Sequence, residues 1–340
     1  MTYRFSGVVM VMIMAVTGVS AQETPKTPWG APDLQGVWDF RSITPMQRPE
    51  ELGDKAFLTV EEVAELEAAE KEKNERLLNR AAERTTASNS VDSRDDGSPG
   101  FYNNFWLDNG TSADESRRTS LIVDPPNGRM PALTAAAAQR QQEIARIRRG
   151  VLFHAPTPGG WVEDIGPGSL QLRCITGFNA GPPMTPSAYN NNVQLFQTED
   201  HVVLLNEMNH NFRIIPLDGR DEIDLPQWTG DSRGYWEGDT LVVETRNFKR
   251  ETSFVLGITD AHLNLTERFT RTSQDVLTYE ATIDDPTVWQ EEWTYQISMK
   301  ANEFPLYEYA CHEGNYGLEN ILAGARLEEA QAEAAAQGSE

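Results

Sequence analysis

Residues 227–248, QWTGDSRGYWEGDTLVVETRNF, decide the fold. Tyr235 and Trp236 end one strand, Glu237 and Gly238 make a two-residue turn in which Gly accepts a positive φ, and residues 239–245 alternate as the return strand. Ahead of this hairpin Asp231 and Arg233 sit in a loop bracketed by Gly230 and Gly234. A carboxylate and a guanidinium held near Trp228 and Trp236 suit the wall of a binding site.

Working outward, the same alternation continues on both sides. Strands are expected over 193–198, 202–209, 211–216, 240–247, 264–271, 276–283, 293–299 and 305–311, joined by tight turns such as 217–219 and 273–275. Short strands with tight turns predict an antiparallel meander over 151–317 that closes into a barrel or folds into a sandwich. Upstream, residues 32–40 read as a first strand with Trp38 in the core, and its Gly-x-Trp resembles the lipocalin opening. Thr59 and Glu62 match a capping box, starting a peripheral helix to about Arg84. Residues 85–100 have little to bury and read as a mobile loop, followed by four aromatics within 101–106 that suit a lid or a core anchor. Thr134 caps a second helix running to about Arg149, with Gly150 as its stop. A final Ala- and Glu-rich helix from 318 frays toward the end. The organisation is therefore one β domain, decorated by the elements of 22–150 and by the tail of 318–340.

Residues 1–21 read as a cleaved secretory signal: Arg4, an apolar run over 8–16, then small residues before a cut after Ala21. That run is too short to span a bilayer, and no later stretch is long enough. A periplasmic or secreted location follows as the expectation. The formal net charge is -23, which repels phosphate backbones and anionic membranes and so argues against nucleic acid as a partner, while the short apolar runs argue against membrane insertion. Cys174 and Cys311 are the two cysteines, and in an oxidising compartment an even, sparse pair reads as a disulfide; two separate buried thiols are the alternative.

Three clusters carry possible chemistry. In the first, alternation through 202–215 puts Glu207 and Arg213 on one polar face and His210 on the other. A Glu207 and His210 metal site completed by His312 and Glu313 is a lesser alternative, because that spacing faces one way on a helix but not on a strand. In the second, His312 and Glu313 next to Cys311 offer a general acid or base on a fixed backbone, with Asn315 and Tyr316 as hydrogen-bonding partners for a ligand. In the third, Glu267 lies between apolar neighbours, so it points inward and needs a partner among Arg213, Arg233 and Arg246. The structural alternatives are a hydrogen-bonded network bracing the sheet for the first, a polar capping motif at a strand end for the second and a structural ion pair for the third. The chain has no Gly-x-Ser-x-Gly elbow, no phosphate-binding glycine loop, no dinucleotide fingerprint and no Cys-x-x-Cys, so the expected chemistry needs no cofactor.

The residues from Trp228 to Phe248, with LTERFTR, YEATIDDPTVW and EYACHEGNYG downstream and DFRSITP and RTSLIVDPPNGR upstream, resemble a widespread family of uncharacterised exported bacterial proteins. The resemblance covers most of the chain beyond residue 21. It implies export and a shared β-rich fold, and carries no catalytic residue over.

The leading expectation is an exported enzyme with a Trp- and Tyr-lined pocket for a small neutral, aromatic or glycosidic molecule, acting as a lyase or hydrolase by acid-base chemistry. His312 and His210 would move protons, with Glu207, Asp231 and Glu267 as carboxylates and Arg213 and Arg233 as clamps. The alternative is a non-catalytic ligand carrier or envelope protein.

Overall fold

The computed structural model describes residues 24–79, 104–108, 110–148, 170–171, 173–249 and 261–337. The expected leader over 1–21, the loop over 85–100, Phe101, Tyr102, Arg149, Gly150 and the last three residues of the tail lie outside the described residues. In chain order the elements are β1 (Gly36–Asp39), α1 (Val60–Leu78), β2 (Ile122–Asp124), α2 (Ala135–Arg148), β3 (Asn192–Gln197), β4 (His201–Asn206), β5 (Phe212–Pro216), β6 (Asp231–Glu237), β7 (Thr240–Arg246), β8 (Asn264–Arg271), β9 (Val276–Asp284), β10 (Trp293–Asn302) and α3 (Tyr316–Gln337).

The strands form one antiparallel sheet in the order β5-β4-β3-β1-β10-β9-β8-β7-β6, with β2 on a further stretch of β10. Two meanders, β3 to β5 and β6 to β10, are spliced by β1, which pairs β3 on one side and β10 on the other. Period-two alternation explains the core. Leu277, Tyr279, Ala281 and Ile283 of β9 and Trp293, Tyr295, Ile297 and Met299 of β10 are all buried, while their sequence neighbours are not. Trp38 joins them from β1, its indole N–H donating to the Leu34 carbonyl at 2.9 Å. The capping box at Thr59 and Glu62 is formed at the start of α1, and Thr134 caps α2 through the Ala137 N–H. Both helices lie outside the sheet in the strand order, so they decorate it.

The sheet does not close into a barrel. It curls far enough for Arg213 of β5 to meet Glu267 of β8, and a Cβ added at Gly234 of β6 would come within 2.8 Å of Ile215 Cγ2 and Leu217 Cδ2. Side chains, not ladder hydrogen bonds, join these two edges among the described residues. The backbone between β5 and β6 bonds instead to side chains of β6: the Ile223 N–H donates to Asp231 at 2.6 Å, and Arg233 donates to the Arg220 and Asp221 carbonyls.

Three local expectations are corrected. The bracketed loop at 230–234 is strand, since β6 begins at Asp231. Its turn falls on Gly238 and Asp239, one residue later than expected, with Glu237 paired to Thr240 and Gly238 at φ 60°. No strand forms over 305–311: β10 runs on to Asn302 and is already flanked there by β1 and β9, and Pro305 has no N–H to donate.

Candidate functional site

A buried polar network lies in the sheet interior. Glu267, with no exposed surface, accepts two hydrogen bonds from Arg213 at 2.5 and 2.9 Å and one from the Tyr279 hydroxyl at 2.8 Å. The Met184 N–H donates to that hydroxyl at 3.1 Å, and the Tyr295 hydroxyl donates to the Met184 carbonyl. Burial, followed by the neighbouring Glu267 carboxylate, raises the Tyr279 hydroxyl well above its ordinary pKa, and burial does the same for Tyr295. Both phenols are therefore protonated donors. A buried carboxylate with a bidentate guanidinium and a third donor is the geometry that offsets desolvation. The network also fixes the loop over 173–191, because Met184 belongs to it.

The second feature is the tip of the β4–β5 hairpin. Asn206 closes it, its N–H donating to the Asn211 carbonyl at 2.8 Å, and a 3-10 turn, Met208–His210, lies between. Asn206 shares its strand face with the core residues Val202 and Leu204 on β4, and Arg213 shares its face with the core residue Ile215 on β5. Asn206 Oδ1, both amide atoms of Asn209, Asn211 Nδ2 and Arg213 Nε are buried without any hydrogen-bond partner. Asn206 is 2% exposed and Asn209 5%.

Two segments meet this tip. The loop over 173–191 packs Gly177 against Met208 so closely that an added Cβ would lie 2.0 Å from Met208 Cγ. The chain after β10 reaches Glu207, whose carboxylate accepts from the Tyr307 N–H at 3.5 Å and from Asn192 at 2.8 Å. The disulfide between Cys174 and Cys311 joins the two segments, and Tyr189 stacks on Tyr309 with centroids 6.3 Å apart. Of the six described non-glycine residues with positive φ, four lie here: Cys174, Asn190, Asn209 and His210. Sparsely populated backbone collects at functional positions when the surroundings enforce it.

Arg213 and Glu267 are brought together inside the sheet, and Glu207 stands at the hairpin tip. Parity through 202–215 does not hold, because the chain reverses at 207–211, so Glu207 and Arg213 do not share a strand face. His210 and His312 are both exposed, and among the described residues no hydrogen bond or ion pair joins either imidazole to Glu207 or Glu267. Asp231 and Arg233 pair at 2.7 Å and tie down the chain between β5 and β6. Arg233 has the strand parity opposite to Gly234, which faces Ile215 of the core, and so lies on the outer face. Trp228 carries Lys249 at 4.3 Å and Arg173 at 5.8 Å from its ring, and Trp236 packs against the core. Asn315 donates to Cys174 Sγ at 3.5 Å, and Tyr316 is exposed. Among the described residues no group of three His, Cys, Asp or Glu is placed to hold a metal ion. Sequence reading missed Asn206, Asn209, Asn211, Tyr279 and Tyr295. Three asparagines within NEMNHN were the available signal.

Fold and site together define a curled antiparallel β protein whose interior ion pair lies behind an amide-rich, disulfide-flanked hairpin tip. No family model matches the chain, and no curated protein or solved structure is significantly similar to it.

Proposed function

We propose that this protein is an exported, non-catalytic binding protein for a small neutral molecule, received at the tip of the β4–β5 hairpin. One observation carries this reading: five buried polar atoms without partners within the eight residues 206–213. An unsatisfied buried polar group costs about 1–3 kcal/mol, and native proteins keep few of them. Several in one turn are a standing penalty that a ligand with polar groups of its own relieves.

The acid-base alternative has less support. Both histidines are exposed, and neither is bonded to the carboxylates it would work with. Glu267 is committed to Arg213 and Tyr279. Export is supported by the leader-like residues 1–21, by the resemblance to exported proteins and by the disulfide, which suits an oxidising compartment. No helix among the described residues is long and apolar enough to cross a membrane.

Thermal unfolding in the presence of fractionated small-molecule extracts tests the reading, because a ligand that binds the folded state raises the midpoint by mass action. The stabilising fraction is expected to lose its effect on Asn206→Leu and to keep it on His210→Ala and His312→Ala. The opposite pattern would transfer the site to the histidines.

A further inference from the structure

Resting on that reading of the hairpin tip, we infer that its ligand is a polyhydroxylated neutral compound, a sugar or sugar-like ring. The unpartnered row mixes donors, Asn209 Nδ2, Asn211 Nδ2 and Arg213 Nε, with acceptors, Asn206 Oδ1 and Asn209 Oδ1. Adjacent hydroxyls meet such a row because each one both donates and accepts. A carboxylate or phosphate would satisfy the donors and leave the two amide oxygens facing lone pairs.

Charge points the same way. Arg213, the cation of the row, is already neutralised by Glu267 through two hydrogen bonds. The carboxylate of Glu207 follows Asn206 directly and is 7% exposed, so it repels an anion arriving at the tip. An apolar aromatic ligand would bury all five groups again with nothing gained.

The flanking segments supply flat apolar faces. Tyr189 meets Phe178 edge-on at 5.4 Å and stacks on Tyr309, and Tyr307, in the same segment as Tyr309, is exposed. The C–H faces of a sugar ring pack on such rings while its hydroxyls reach the amides. Between Asn302 and the disulfide at Cys311, the Tyr307 N–H donates to Glu207 at the tip and Tyr309 stacks on Tyr189 of the loop over 173–191, so the segment lies beside both.

Calorimetric titration of the full chain with cellobiose, maltose and lactose, with methyl glucoside against glucuronate, and with 1-naphthol separates the possibilities. At least one neutral disaccharide is expected to bind, methyl glucoside is expected to bind at least tenfold more tightly than glucuronate, and Asn206→Leu is expected to weaken disaccharide binding at least tenfold. The unfolding midpoint of Asn206→Leu should be equal to or above the parent's, since an apolar side chain of similar shape removes an unsatisfied group. Absence of binding by every neutral sugar overturns the ligand class. Binding of glucuronate or naphthol instead, lost in Asn206→Leu, overturns the class and leaves the site standing. A lowered midpoint in Asn206→Leu together with no probe bound means that the amide is structurally satisfied, and both the class and the site fall.

Discussion

Arg213 and Glu267 are separated by 54 residues in the chain and are each other's reason for being buried. Arg213→Met leaves a carboxylate inside the sheet with only Tyr279 to support it, and a broken buried pair costs about 3–5 kcal/mol. Urea unfolding should show that loss, and the double variant Arg213→Met with Glu267→Leu should be more stable than the single one. A double variant that is worse than the single would mean that Glu267 stabilises the sheet even without its guanidinium, through the Tyr279 hydroxyl. Tyr279 and Tyr295 give the network a pH limit. Their folded pKa values are raised, so above the ordinary tyrosine value of about 10 the unfolded chain releases protons that the folded chain retains. Stability from this source is complete below about pH 10 and falls as the pH rises beyond it. Tyr279→Phe should flatten that fall in unfolding midpoints measured between pH 9 and 11, taken as roughly one unit either side of the ordinary value. An unchanged slope would show that other groups set the alkaline limit.

At the scale of elements, the hairpin tip and the loop over 173–191 form one packed unit. Gly177 permits it, because a methyl group there would fall on Met208 Cγ. Gly177→Ala should therefore shift the loop off the 3-10 turn, with an overpacking cost of about 1–3 kcal/mol, and should raise the hydrogen exchange of amides in 206–211. Unaltered exchange there would show that Met208 moves aside without consequence. The β6–β7 hairpin illustrates how far local sequence carries. Its existence followed from Gly238 and the flanking alternation, yet the turn lies one residue on, because Glu237 pairs with Thr240 and places Gly238 first in the turn. Residues 305–311 alternate as a strand should and still form none, because pairing needs a free edge, and none is available beside the end of β10.

For the molecule as a whole, the disulfide bridges residues 137 apart in sequence and links the loop over 173–191 to the chain that follows the last strand. A link closing a loop of this length is worth about 5 kcal/mol in the chain-entropy picture, with measured values nearer 2–5. The Cys174→Ser, Cys311→Ser variant should lose stability in that range, read from denaturant unfolding of both proteins without reductant. A loss below about 1 kcal/mol would mean that the unfolded chain keeps these segments together without the bond. What the sequence determined by itself is what depends on neighbours in the chain: the Thr59 capping box, the burial of Trp38, the period-two strands, and an inward Glu267 in need of a cation. What only tertiary structure decided is which distant groups meet. Among Arg213, Arg233 and Arg246 nothing local selects Arg213; the curl of the sheet does, by carrying β5 across to β8. The chain reversal at 207–211 took Glu207 and Arg213 off a common face and left His210 in solvent, because side-chain direction alternates reliably along a strand and is reset wherever the strand ends.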